Sequence, residues 1–219
     1  MMAAQPAATE TAIANRMPER AGISWLKRLA HPRVRLSMLV VVGVFLVLSL
    51  LLPYWTITLR APQYPQGLTV EAYAWKLTGD VAEVDGLNHY IGMMKLEDAA
   101  TLERSVSRIA IPLLALLAVA SFWVPGRWVW LAVAPVLAFP VIFMADLFYW
   151  LRHAGNNLDP TAALSSSIKP FTPRILGEGF IGQFSTVATF GNGFYLALLG
   201  VVLLLAATIL RRWSDAPES

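Results

Sequence analysis

The chain has 219 residues, 57% of them hydrophobic and 14% charged, with a net charge of +3, and its mean hydropathy is +0.57. That charge is too sparse to coat a soluble domain, so the composition points to a membrane protein, and the length suits one domain. Cysteine is absent, which excludes disulfides, thiolate zinc sites, c-type haem attachment and cysteine-ligated iron–sulfur clusters and leaves Met and His for any soft metal.

Residues 1–22 are rich in Ala, Pro, Thr and Glu and lack apolar periodicity, which predicts a disordered tail. Lys27, Arg28, Arg33 and Arg35 follow, interleaved with Ile23, Trp25, Leu26 and Leu29, so residues 1–35 read as a basic cytoplasmic tail with an interfacial helix. The first predicted span, about 36–58, is uncharged and long enough for a bilayer core of roughly 30 Å. No A-x-A cleavage site follows it, so it reads as an uncleaved anchor.

Further spans are predicted at about 106–124, 128–151 and 187–210, the second and third forming a hairpin at Pro125-Gly126-Arg127. Pro112, Pro135 and Pro140 lie inside spans, where they favour local kinks. Four Lys/Arg precede the first span closely while Arg60 alone follows it, and Arg211 and Arg212 follow the fourth. By the positive-inside rule both termini are then cytoplasmic, in the inner (cytoplasmic) membrane, although Arg104 and Arg108 against Arg127 run the other way. The basic flanks suit lipid headgroups; nucleic acid is not an expected partner.

The expected fold is thus an all-α integral membrane protein of four transmembrane helices, with an ordered non-cytoplasmic cap from outer segments 59–105 and 152–186. In the first segment, Ala61–Gly67 reads as an extended turn. Leu68 to Leu77 alternates, with Leu68, Val70, Ala72 and Ala74 on one side, which allows a short β-hairpin. A short helix is expected over Leu87–Met94 and one long helix over Glu97–Val124. Lys169 to Arg174 is a basic, proline-punctuated loop, read as solvated.

Candidate chemistry is sparse. P-loop, G-x-S-x-G and H-E-x-x-H motifs are all missing, so no catalytic residue is assigned and an enzymatic role is the weaker expectation. In Leu87-Asn88-His89-Tyr90-Ile91-Gly92-Met93-Met94, His89 and Met93 share a face if the stretch is helical. An imidazole and a thioether together suit Cu(I), with Met94 or His153 as a third ligand. The competing reading has both methionines packed against the membrane surface and His89 ordering the loop. Asp146, near the outer end of the third span, is an intramembrane functional acid, or an acid shallow enough to reach water, or one paired with an arginine such as Arg152 or Arg60. Ser185, Thr189, Gly193 and Ala197 recur every four residues as a helix-packing stripe, with Asn192 beside it for an interhelical hydrogen bond.

The run from Tyr54-Trp55 through Ala61-Pro62-Gln63-Tyr64-Pro65-Gln66-Gly67-Leu68, Leu77-Thr78-Gly79-Asp80 and Leu87–Met93 resembles small multi-span membrane proteins associated with nitrous oxide reductase maturation and copper-handling gene neighbourhoods. The resemblance covers under half the chain. It implies an accessory role in assembling, supplying or anchoring a periplasmic copper enzyme, a protein partner there, and His89 and Met93 as the residues to test first. Two other classes remain open: a non-catalytic structural subunit docking through the Gly193 stripe, and a small membrane enzyme using Asp146.

Overall fold

The computed structural model describes residues 29–164, 167–181 and 184–214. The expected tail and most of the expected interfacial helix lie outside them. The elements in order are α1 (Pro32–Ser49), β1 (Trp55–Ala61), β2 (Tyr64–Ala72), β3 (Leu77–Gly79), α2 (Val81–Ile91), a 3-10 turn (Leu96–Asp98), α3 (Thr101–Ala120), α4 (Val129–Asn156), β4 (Gly177–Ile181), β5 (Phe184–Phe190) and α5 (Asn192–Ser214).

Three helices, α1, α4 and α5, are long and apolar enough to cross a membrane. Helix α3 has 20 residues but carries Glu103, Arg104 and Arg108 in its first turns. Helix α1 begins at Pro32, where a missing N–H costs nothing, and the His31 Nδ1 accepts from Arg33 N–H at 3.3 Å. α1 packs against α3 and α5, and α4 touches the same two helices. Their shared core is Leu39, Val42, Leu46, Ile111, Ala115, Val133, Val136, Ala197 and Leu204. Apolar side chains also cover the outside: Val44, Leu116, Val141, Ile142 and Val202 are all exposed. An apolar exterior of that extent fits lipid rather than water.

The all-α expectation needs correcting. The outer segments build a five-stranded antiparallel sheet, ordered β3-β2-β1-β5-β4. The first span ends at Ser49 and Leu50–Leu52 form a turn. Trp55 to Ala61, partly counted above as span, is the central strand. The supposed extended turn at 61–67 shrinks to Pro62-Gln63, because β2 already pairs Tyr64 with Ala61. The alternation at Leu68 and Val70 is real: both are buried on one sheet face. The fourth span starts at Asn192 rather than near 187, since Phe184, Thr186 and Ala188 alternate inward along β5. Ser185 and Thr189 are therefore strand residues, and the four-residue stripe is not one helix face. Its helical part, Gly193 and Ala197, is buried on α5, as is Gly200. A Cβ at Gly193 would lie 2.6 Å from the Leu52 carbonyl oxygen and 2.9 Å from those of Pro53 and Ser49, so this glycine lets α5 close on the end of α1. Asn192 is exposed in the first turn of α5.

The long helix expected from Glu97 is interrupted as well. Glu97 and Asp98 lie in the 3-10 turn, and Ala100, at φ 51°, separates it from α3.

The sheet and bundle are fastened together. Trp75 donates from Nε1 to the Leu50 carbonyl at 2.9 Å, and Ser107 Oγ donates to the Ala74 carbonyl. Tyr54 is fully buried, sharing a 2.6 Å hydrogen bond with Ser49 Oγ and packing on Phe139 and Phe143. At the opposite end Arg211 donates to the carbonyls of Ser121, Phe122 and Val124, which close α3 and the turn into α4. Trp123, Trp128, Trp130 and Trp213 are exposed at that same end, as an interfacial belt requires.

Candidate functional site

Helix α2 lies across one face of the sheet. Its inward stripe is Val84, Leu87, Asn88 and Ile91, spaced i, i+3, i+4, i+7. Below it, Ile57 of β1 faces Val70 of β2, and Leu59 faces Leu68. Between helix and sheet is a cavity of about 90 Å³, lined also by Leu151 of α4 and by Pro173. Its polar lining side chains are Asn88, Thr186 and Trp55, and the Trp55 Nε1 is already spent, donating to the Ile175 carbonyl at 2.7 Å. Asn88 is only 5% exposed, and its Nδ2 meets no acceptor among the described residues.

Asp80 does not cap α2 with its side chain. Its Oδ2 accepts from Thr69 N–H at 2.7 Å, pinning the helix start to β2. Asp85 Oδ1 accepts from Leu96 N–H at 2.6 Å, holding the following turn. The helix stops at Gly92, which is left-handed at φ 81°. The helix expected to reach Met94 thus ends at Ile91, and His89 and Met93 do not share a helix face. His89 is exposed, while Met93 turns onto Ala61, Ile91 and Phe184. Met94 is half-buried.

The same junction joins the two outer segments. Asp159 N–H donates to the Gly92 carbonyl at 2.8 Å, and Leu164 N–H donates to that of Tyr90 at 2.9 Å. The stretch bearing His89 and Met94 therefore lies against the loop that follows His153. Asp159 Oδ1 accepts from both the backbone and the hydroxyl of Thr161, which holds its carboxyl below the ordinary range, with a smaller contribution from His89. His153 stacks on Tyr149 at 5.9 Å, and its Nδ1 lies 3.0 Å from Asn157 Nδ2. Of the four candidate copper ligands, His89 is exposed with its ring 6.2 Å from that of Tyr90, and Met94 is half-buried. Met93 packs into the apolar cluster and His153 stacks on Tyr149.

Asp146 is partly exposed on α4, with Trp150 and the α3 residue Glu103 as neighbours. The loop read as solvated, Lys169–Arg174, is anchored: Phe171 N–H donates to the Gly155 carbonyl at 2.9 Å, and Pro173 is buried.

Asn88 is the residue that sequence reasoning passed over. The signal was present, because an amide stands at a core position of an otherwise apolar helical stripe.

The fold defines a membrane protein with three helices long and apolar enough to span a bilayer, whose inter-helix segments build one β-sheet domain at one end of the helix bundle. No known protein family, curated protein or solved structure matches the chain.

Proposed function

We propose that the chain is a four-span accessory protein of the cytoplasmic membrane, with both termini cytoplasmic, that serves a redox enzyme on the outer side and hands on Cu(I) transiently. Helix α3 supplies the remaining span, second in chain order, in this reading: its charges sit beside the cap, and the rest of it, from Ile109 to Ala120, is apolar. Arg33, Arg35, Arg211 and Arg212 all lie at the capless end, as a cytoplasmic face requires.

The observation that carries the copper reading is the Gly92–Asp159 junction, which sets the His89/Met94 stretch beside the loop after His153. Two soft ligands at an exposed helix end make an open coordination shell, and an open shell releases its ion readily.

The test is anaerobic Cu(I) loading of the detergent-purified protein, followed by desalting and metal analysis. Near-stoichiometric copper is expected in the wild type, with loss in His89→Ala/Met94→Ala at unchanged thermal stability. A wild type that retains no copper overturns the copper reading. Loss in the single variant Met93→Ala, with Met94→Ala silent, would move the second ligand to Met93.

A further inference from the structure

An amide donor buried without a partner costs about 1–3 kcal/mol. A leucine at position 88 would complete the α2 stripe at no such cost, yet the chain keeps Asn88 there, with Nδ2 unsatisfied among the described residues and the side chain lining the cavity. A water does not answer it well, because a buried water needs two to four polar partners. The rest of this wall is Leu, Ile, Val, Ala, Pro, Met and Phe, apart from Thr186 and the committed indole of Trp55. The cavity therefore suits a ligand that is apolar along its body and presents one hydrogen-bond acceptor.

Size narrows the choice. An apolar cavity of roughly 150 Å³ takes a benzene ring, and this one is about 90 Å³, so it fits methylenes of a straight chain better than a ring. Place narrows it again: Leu151, near the outer end of the α4 span, forms part of the wall. That is the depth at which the hydrocarbon core gives way to the interfacial region, where lipid esters lie.

We propose that the cavity between α2 and the sheet binds one acyl ester of a membrane lipid, with the ester carbonyl accepting from Asn88 Nδ2 and the adjoining methylenes against Ile57, Val70 and Met93. The site requires only that the spans lie in a bilayer, and it is independent of any copper chemistry at the end of α2.

The full chain is reconstituted in vesicles of phosphatidylethanolamine and phosphatidylglycerol, the latter carrying a diazirine near the ester end of one acyl chain. After illumination, adducts are mapped by peptide mass spectrometry. Adducts on the α2 and β2 peptides are expected, alongside those on lipid-facing residues such as Val202. Asn88→Leu keeps the cavity wall apolar and removes the donor; it is expected to cut the cap adducts on the order of tenfold and leave the Val202 adducts unchanged. Val70→Phe, which fills the cavity, gives the same loss if it folds. Adducts confined to the spans, or cap adducts equal in wild type and Asn88→Leu, overturn the proposal. So does labelling of the cap by a diazirine fatty acid but not by the phospholipid, because the source would then be a free acid.

Discussion

Single residues decide how the cap meets the bundle. Gly193 is a tight helical contact there, with three carbonyl oxygens within 3 Å of where a Cβ would stand. Backbone cannot retreat as a side chain can, so Gly193→Ala is expected to destabilise by about 1–3 kcal/mol. Thermal unfolding in detergent measures this, and a shift no larger than that of Leu199→Ala on the exposed face would refute the contact. The face at Gly193 is occupied within the molecule, by the end of α1, which removes the reason to reserve it for a partner. Tyr54 predicts a smaller effect. Tyr54→Phe keeps the ring against Phe139 and Phe143 and loses the bond to Ser49, whose hydroxyl still donates to the Leu46 carbonyl. A loss of about 1 kcal/mol is expected.

Elements show why part of the fold was legible and part was not. The hydropathy of α1, α4 and α5 announces them, since a lipid-facing helix is apolar all round. The same rule misled at both ends of the sheet. Leu51-Leu52-Pro53-Tyr54-Trp55 continues the apolar run of α1, and β1 is the central strand, so hydropathy does not distinguish it from more span. Pro53 was the break. In β5 the period-2 alternation of Phe184, Thr186 and Ala188 was readable but lay directly against an apolar helix. The pairing of β1 with β5 joins residues more than 120 apart in the chain, and no local pattern encodes it. The copper candidates depended on a helix continuing through Gly92, and the left-handed glycine ends it there. Gly92→Ala tests that junction: it forces a Cβ at positive φ to within 2.7 Å of the Asp159 carbonyl oxygen. Hydrogen exchange should rise in residues 88–94 and 159–164 while the spans stay protected. Asp159 gives the same loop a pH dependence. Its folded carboxyl is held below 3.8, so its contribution is present above that value and fades as pH falls through the lowered one. Exchange in 157–162 should accordingly increase only below about pH 4, and Asp159→Asn should abolish that dependence.

At the scale of the whole molecule, the cap gathers the first and second outer segments at one end of the bundle, while Arg211 ties α5 to the α3–α4 turn at the other. In the proposed topology the two ends lie on opposite sides of the bilayer. Because the chain contains no cysteine, single-cysteine reporters can be placed without background. Gln66 is exposed on β2 in the cap and Pro125 is exposed in the α3–α4 turn. In intact cells Gln66→Cys should react with a membrane-impermeant maleimide and Pro125→Cys should react only after permeabilisation. Inverted labelling would place the cap in the cytoplasm, and with it the copper ligands in a reducing compartment where thiols normally outcompete Met and His. Labelling of both sites from outside would mean that the helices do not cross the membrane in the alternating order that the shared cap demands. Only the first pattern is compatible with basic flanks held inside and a sheet domain presented outside, so one pair of reporters tests the orientation on which every outer-face reading depends.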